Sequence, residues 1–466
     1  MSTFKNKIET PIANFLLENR QALKINFHAL PIFHLNQTTA SYKDYHALFG
    51  TKYFALETTA TGKVFDSFFY PMRCIKKSQD YTAQAFGARD TLFVTCGTSI
   101  SNQIAVDALI NDNSHVLLDR QCHQSMHFAV SSKNVPYDYF YSKDYCLATE
   151  KKYLDIDNLI AQVKKAQSDN KSYSLIIINA ASYDGVICNI YEIISRIQKY
   201  APTASFLIDE AWSSAFYFHP TLYKYTAGYA AKKLKNKVNI VATQSAHKSL
   251  MALRQASFIH SFADNKITES LYKARFKYHS TSPNYAILAS MDLARAHMQK
   301  NGEKLLGETL SNATKLRKII KSDPQLAPTL NIESSKNLFD VSKGICVEDP
   351  LKVHINIKQL NMSGSDLQEY LYHHHGIYFN RYTETTALIN IHIGITKGHI
   401  DYLLQVLRSL TDLRESQAIA EIDQSDFIIS YPPGIPLYAP GEQLNESVYS
   451  KITNDLKCGI NVFQLA

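Results

Sequence analysis

From about residue 70 onward the chain alternates short apolar runs with helical periods, and no other feature restricts its fold as strongly. Apolar runs at 92–95, 115–118, 137–141, 174–179, 205–208 and 239–243 read as strands. Helical periods at 102–110, 124–131, 156–167 and 190–200 lie between them. Strands separated by helices of this length predict βαβ units, hence an α/β fold with a mainly parallel central sheet. Ligands of such sheets bind beyond the carboxyl ends of the strands. Chemically suggestive residues should therefore cluster at those ends, and they do.

The densest cluster closes the last of these runs. Apolar residues from Val238 to Ala242 lead into Ser245-Ala246-His247-Lys248, and a helix-like run is expected from Leu250. Desolvation lowers a lysine's pKa, and the neutral amine forms a Schiff base with an aldehyde. Lys248 alone reads as an ordinary lysine at a strand end.

Three other strand ends decide between these readings. Cys96-Gly97-Thr98-Ser99 follows a strand and opens a helix, where free N–H groups and two hydroxyls form an anion cradle or a simple N-cap. His123, after the next strand, either stacks on a flat ring or caps the following helix. Ile208-Asp209-Glu210-Ala211-Trp212 delivers a carboxylate to the sheet edge, where it needs a cationic partner. Ala211 leaves room for a ring, and Trp212 is the chain's single tryptophan. Anion cradle, stacking imidazole, carboxylate and lysine, all on one edge, match the phosphate, ring, ring nitrogen and aldehyde of pyridoxal 5′-phosphate.

The remaining organisation is plainer. Residues 1–70 form a mixed N-terminal segment with a helix over 11–24. Residues 71–300 form the cofactor-binding large domain, and residues 301–466 a smaller α/β C-terminal domain. Helices are expected at 285–299 and 303–321. In the small domain, strands at 352–357 and 388–392 accompany helices at 364–374 and 398–410, before a turn-rich stretch at 430–442. His373, His374 and His375 are adjacent, so they cannot all face one metal ion from a helix. They read as a helix C-terminus beside Gly376, and no metal is expected.

Composition narrows the class of partner. The formal charge of +7 is spread thinly, and its one dense run, Lys232 to Lys237, reads as a solvated face, so no nucleic acid is expected. Seven cysteines without a CxxC pair suit a reducing compartment. No apolar run reaches the roughly 18 residues of a membrane span and the first residues lack a signal-peptide core, so a cytoplasmic protein without membrane association is expected.

The motifs GTSISNQ (97–103), DRQCHQSMH (119–127), SYDGV (182–186), LIDEAWSSAFYFHP (207–220), QSAHKSLMALRQASFIH (244–260), HSTSPNYAILASMDLAR (279–295), GIYFN (376–380) and YPPGIPLYAPGE (431–442) stand in one order. On these the chain resembles the bacterial ornithine/lysine/arginine decarboxylases, pyridoxal-phosphate enzymes of the aspartate-aminotransferase fold (fold type I). The resemblance implies that Lys248 carries the cofactor, that Asp209 keeps the pyridine nitrogen protonated and that His123 stacks on the ring. Gly97, Thr98, Ser99, Ser245 and His247 would hold the phosphate, with Ala211 and Trp212 beside the ring. Ser280 and Thr281 would complete the phosphate site of a second copy, giving a homodimer with composite sites or a larger assembly built from it.

The resemblance implies decarboxylation of a basic amino acid, with His247 or Lys248 returning the proton. Transamination, oxygen-dependent oxidative deamination and a non-catalytic regulatory role stay open as alternatives. Three departures stand out. The family's N-terminal wing domain is expected to be missing, and the motif near the start is degenerate as Phe27-His28-Ala29-Leu30-Pro31. Asn380 replaces a glutamate that relatives usually carry, which touches substrate preference.

Overall fold

Seven strands build the main sheet: β1 (Asp90–Val94), β2 (Val116–Asp119), β3 (Tyr137–Phe140), β4 (Leu175–Asn179), β5 (Ser205–Asp209), β6 (Ile240–Ser245) and β7 (Ser257–Ser261). Their spatial order is β1-β7-β6-β5-β4-β2-β3. The five strands from β6 to β3 pair in parallel, while β7 is antiparallel to both β6 and β1. Two successive reversals leave β1 running the same way as β6, so its carboxyl end joins the same edge.

These strands read as near-continuous apolar runs because helices cover both faces. Ile176, Ile177, Ile178, Phe206, Leu207, Ile208, Val241 and Ala242 have no exposed surface. Each large aliphatic side chain so buried contributes about 1.5–3 kcal/mol. Helix α1 (Thr98–Leu109) follows β1, and α2 (Gln124–Ser131) follows β2. All six strands expected from the sequence are present, with ends shifted by two residues or fewer.

The computed structural model describes residues 8–36, 42–58, 62, 64–332, 337–360, 362–417, 427–431, 435–438, 443–457 and 461–465. Cys458 and part of the 430–442 stretch lie outside the described residues. The chain divides into two units. The first, which carries the main sheet, takes in Met1–Tyr145, Lys152–Gly307 and Asn337–Glu348. Its N-terminal helix, Pro11–Ala22, is fastened by Asp292, whose buried carboxylate accepts from Ile12 N–H at 2.9 Å and from Ser78 Oγ at 2.7 Å. Arg295 donates to the same carboxylate at 2.6 Å.

The second unit comprises Cys146–Lys151, Glu308–Lys336 and Asp349–Ala466. Its four-stranded antiparallel sheet runs in the order Asn331–Ile332, Lys352–Asn356, Thr386–Asn390, Arg381–Tyr382. Helices Gly364–His375 and Lys397–Gln417 supply Leu367, Leu371, Leu404 and Leu407 to a core shared with Val353, Ile355 and Ile389. The helix bearing His373 to His375 ends at Gly376, whose φ of 62° closes it. Among the described residues no cluster of His, Cys, Asp or Glu could hold a metal ion.

Two expectations need correction. The helix expected from Leu250 does not form: only Ala246–Ser249 is helical, Leu250 is extended, and the chain turns back into β7. The helices expected at 285–299 and 303–321 are one helix, Tyr285–Ser322. Gly302 does not break it. A Cβ at that position would meet the Phe218 Cβ at 2.6 Å, so glycine serves close packing there.

Candidate active site

A cavity of about 600 Å³ opens at the carboxyl edge of the main sheet, and the first unit supplies its whole lining. Gly97, Thr98, Ser99, His123, Asp209, Ala211, Trp212, Ser245, His247 and Lys248 all line it. These ten residues come from four separate strand ends, and the topology alone brings them together.

At one side lies the start of α1. Gly97 has a φ of 80°, which favours glycine, and it caps the helix. The N–H groups of Thr98 and Ser99 open the first turn, where no intrahelical acceptor exists. Thr98 Oγ1 lies 2.6 Å from Ser245 Oγ and 3.0 Å from Ser257 Oγ, which clamps α1 to β6 and β7. His247 Nδ1 donates to the Ala256 carbonyl at 3.0 Å, and burial lowers its pKa. The donor set is that of an anion cradle.

At the opposite side stands Asp209, 3% exposed. Burial pushes its carboxyl above the usual range, and the Ala211 N–H bond and the Lys248 charge pull it partly back. One oxygen accepts from Ala211 N–H at 3.0 Å, but the other has only the Asn102 amide at 3.5 Å. A buried carboxylate oxygen so weakly satisfied fits a protonated ring nitrogen.

His123 caps α2, with its Nδ1 accepting from Ser125 N–H at 3.2 Å. That bond places the imidazole's own proton on Nε2. Ser125 Oγ takes a bond from Asn102 Nδ2 at 2.9 Å, and Asn102 Oδ1 accepts from Thr243 Oγ1 at 2.7 Å. Asn102 thus links His123, Asp209 and β6. Burial lowers the Lys248 pKa, opposed by the Asp209 charge, and Nζ lies 4.4 Å from the Trp212 ring centroid.

Asn102, Gln121, Asn179, Tyr183, Arg254 and Gln255 also line the cavity but were not singled out from the sequence. Asn179 carried a usable signal, since it ends β4 in register with Asp209. Asn102 did not, because one amide within a helix has no distinguishing neighbour. Ser280 and Thr281 are exposed and do not line this cavity. Asn380 belongs to the second unit, where it lines a separate cavity of about 550 Å³ with His375, His392 and His399.

A doubly wound sheet with this donor set at its edge defines a pyridoxal-phosphate enzyme of fold type I. The chain belongs to the Orn/Lys/Arg decarboxylase family, whose major-domain model matches residues 10–399. It is 24% identical over 444 residues to an arginine decarboxylase of Halalkalibacterium halodurans, covering 85% of this chain and 84% of that protein. It is 28% identical over 381 residues to the inducible lysine decarboxylase of Escherichia coli K12, covering 73% of this chain and 51% of that protein. Among solved structures, the Francisella novicida lysine decarboxylase LdcF superposes with a TM-score of 0.75 at 19% identity, over 97% of this chain and 77% of that one.

Proposed function

We propose that this chain removes the α-carboxylate of a basic amino acid (arginine, lysine or ornithine), releasing CO₂ and the amine. The observation that carries the proposal is Lys248 and Asp209 facing one cavity, beside the cradle opened by Gly97. When bound, pyridoxal phosphate supplies the electron sink that receives the pair left at Cα as CO₂ departs.

The chain's own residues do the rest. Lys248, its pKa lowered by burial, offers the amine that anchors the cofactor. Asp209 holds a proton at the ring nitrogen. The His123 imidazole, held through Ser125 and Asn102, would stack on the ring. Thr98, Ser99 and Ser245 hold the phosphate, and the Ser280–Thr281 segment of a second copy completes it in a homodimer. His247 or Lys248 would return the proton to Cα. No helix among the described residues is long and apolar enough to cross a membrane.

The test is a mass-spectrometric screen of amino acids with the cofactor-loaded protein, in air and without oxygen. CO₂ and amine in both conditions are expected. A keto acid or aldehyde formed only in air would replace the proposal with oxidative deamination.

A further inference from the structure

A pyridoxal phosphate in this cavity brings about 1.5–2 negative charges at neutral pH on its phosphate, taking phosphate esters in general. Burying such charge without a cation is costly. The cradle is short of one. Thr98, Ser99 and Ser245 are neutral, and burial holds His247 toward its uncharged form. Lys248 is committed to the covalent anchor. Among the described residues, the only other Lys or Arg lining the cavity is Arg254.

Arg254 does not sit on a loose loop. Leu253 N–H donates to Ser290 Oγ at 3.0 Å, and Ala256 N–H closes a turn on the Leu253 carbonyl at 3.1 Å. Gly97 N–H donates to the Gln255 carbonyl at 2.9 Å, so the turn is tied to the first residue of the cradle. His247 holds the Ala256 carbonyl from the other side. Gln255 has a φ of 73°, an uncommon conformation for a side-chain-bearing residue, which these bonds maintain. The chain thus carries Arg254 on a strained, fourfold-bonded turn at the cavity wall, near enough for its charge to help lower the His247 pKa.

We propose that Arg254 supplies the fixed positive charge for the cofactor's phosphate. The proposal rests on the pyridoxal-phosphate reading of the cavity and adds to it a residue that reading left out. A guanidinium stays charged at any working pH and matches phosphate with two parallel N–H bonds. Arg254 is otherwise exposed, so its attraction becomes strong only when the phosphate covers it.

The experiment compares wild type, Arg254→Gln and Arg254→Lys, each prepared with cofactor and dialysed against graded pyridoxal phosphate or unphosphorylated pyridoxal. Bound ligand is read by absorbance. Arg254→Gln is expected to weaken pyridoxal phosphate binding by about ten- to a hundredfold, the range of a charge-assisted bond, and to leave pyridoxal binding within about twofold. Arg254→Lys falls between wild type and Arg254→Gln. Unchanged pyridoxal phosphate binding in Arg254→Gln overturns the proposal. Equal losses for both ligands overturn it too, because Arg254 then only shapes the turn. Failure of wild type to bind either ligand overturns the cofactor reading itself, a separate outcome.

Discussion

Lys248 Nζ lies 4.4 Å from the centroid of the Trp212 ring, and that ring is the chain's single tryptophan. At this separation the indole face attracts the ammonium form. The same closeness makes Trp212 an optical reporter of whatever Lys248 carries. Loading with pyridoxal phosphate should quench tryptophan emission, and borohydride should fix the quencher to the protein. In Lys248→Ala the fixed adduct and essentially all turnover should vanish. Full activity in that variant would remove Lys248 from the mechanism.

Asp209 should affect rate rather than attachment. Asp209→Ala takes away the counter-charge for a ring nitrogen, so turnover should fall by about a hundredfold or more, the scale of positioned proton-holding groups. The borohydride-fixed adduct at Lys248 should persist. Turnover within a few-fold of wild type would mean that another group holds that proton.

Glu210, next in sequence to Asp209, gives a prediction in pH. Its buried carboxylate accepts from Tyr217 Oη at 2.7 Å, Ala227 N–H at 2.7 Å and Gln244 Nε2 at 2.8 Å. Burial pushes its pKa up to about 7 from 4.5, so the folded state binds more protons than the unfolded chain between those values. The stabilising contribution is full below about pH 4.5 and is lost as pH rises through 7. Relative to Glu210→Gln, wild type should lose up to about 3 kcal/mol across that window, measured by denaturant unfolding at each pH. Burial holds the His260 pKa down at about 3, an effect of opposite sign that both proteins share, so the difference isolates Glu210. A pH-independent difference would show that Glu210 is ionised throughout.

Composite sites can be tested by mixing. Lys248→Ala and a Ser280→Ala/Thr281→Ala double variant, each inactive alone, should regain activity once subunits exchange. Proven exchange without recovery would confine each site to one chain.

We propose that Asn380, a residue of the second unit standing where relatives usually carry glutamate, touches substrate choice. A carboxylate at this position would bind a distal ammonium or guanidinium, a bond worth about 1.5–3 kcal/mol. Asn380→Glu should therefore sharpen the preference for long cationic substrates by about tenfold or more, seen as a lower KM. Unchanged selectivity would make Asn380 a structural residue of its own cavity.

The sequence exposed the parallel part of the sheet because β2, β4, β5 and β6 are continuous apolar runs. It concealed β7, whose Ser257, His260 and Ser261 read as polar. In the fold all three are buried and bonded: Ser257 to the Gln244 carbonyl, His260 to Thr91 and Gln244, and Ser261 to Thr268. Ten cavity-lining residues were legible because each ends or follows a strand. Asn102 and Arg254 were not, since their roles come from what the fold sets opposite them. The single helix Tyr285–Ser322 was read as two, and its Gly302 is explained only by the neighbouring Phe218.

The sheet's edge strand β1 pairs with β7 alone. During synthesis β1 therefore leaves the ribosome long before any backbone partner exists, and the anion cradle at its end cannot be clamped until Ser245 and Ser257 follow. Local helices can form early, but this pairing is a distant one that closes late. Nascent chains ending before residue 257 should thus carry an unpaired apolar strand with Leu92, Phe93 and Val94 open to association. That makes the interval before β7 emerges the natural point for chaperone capture.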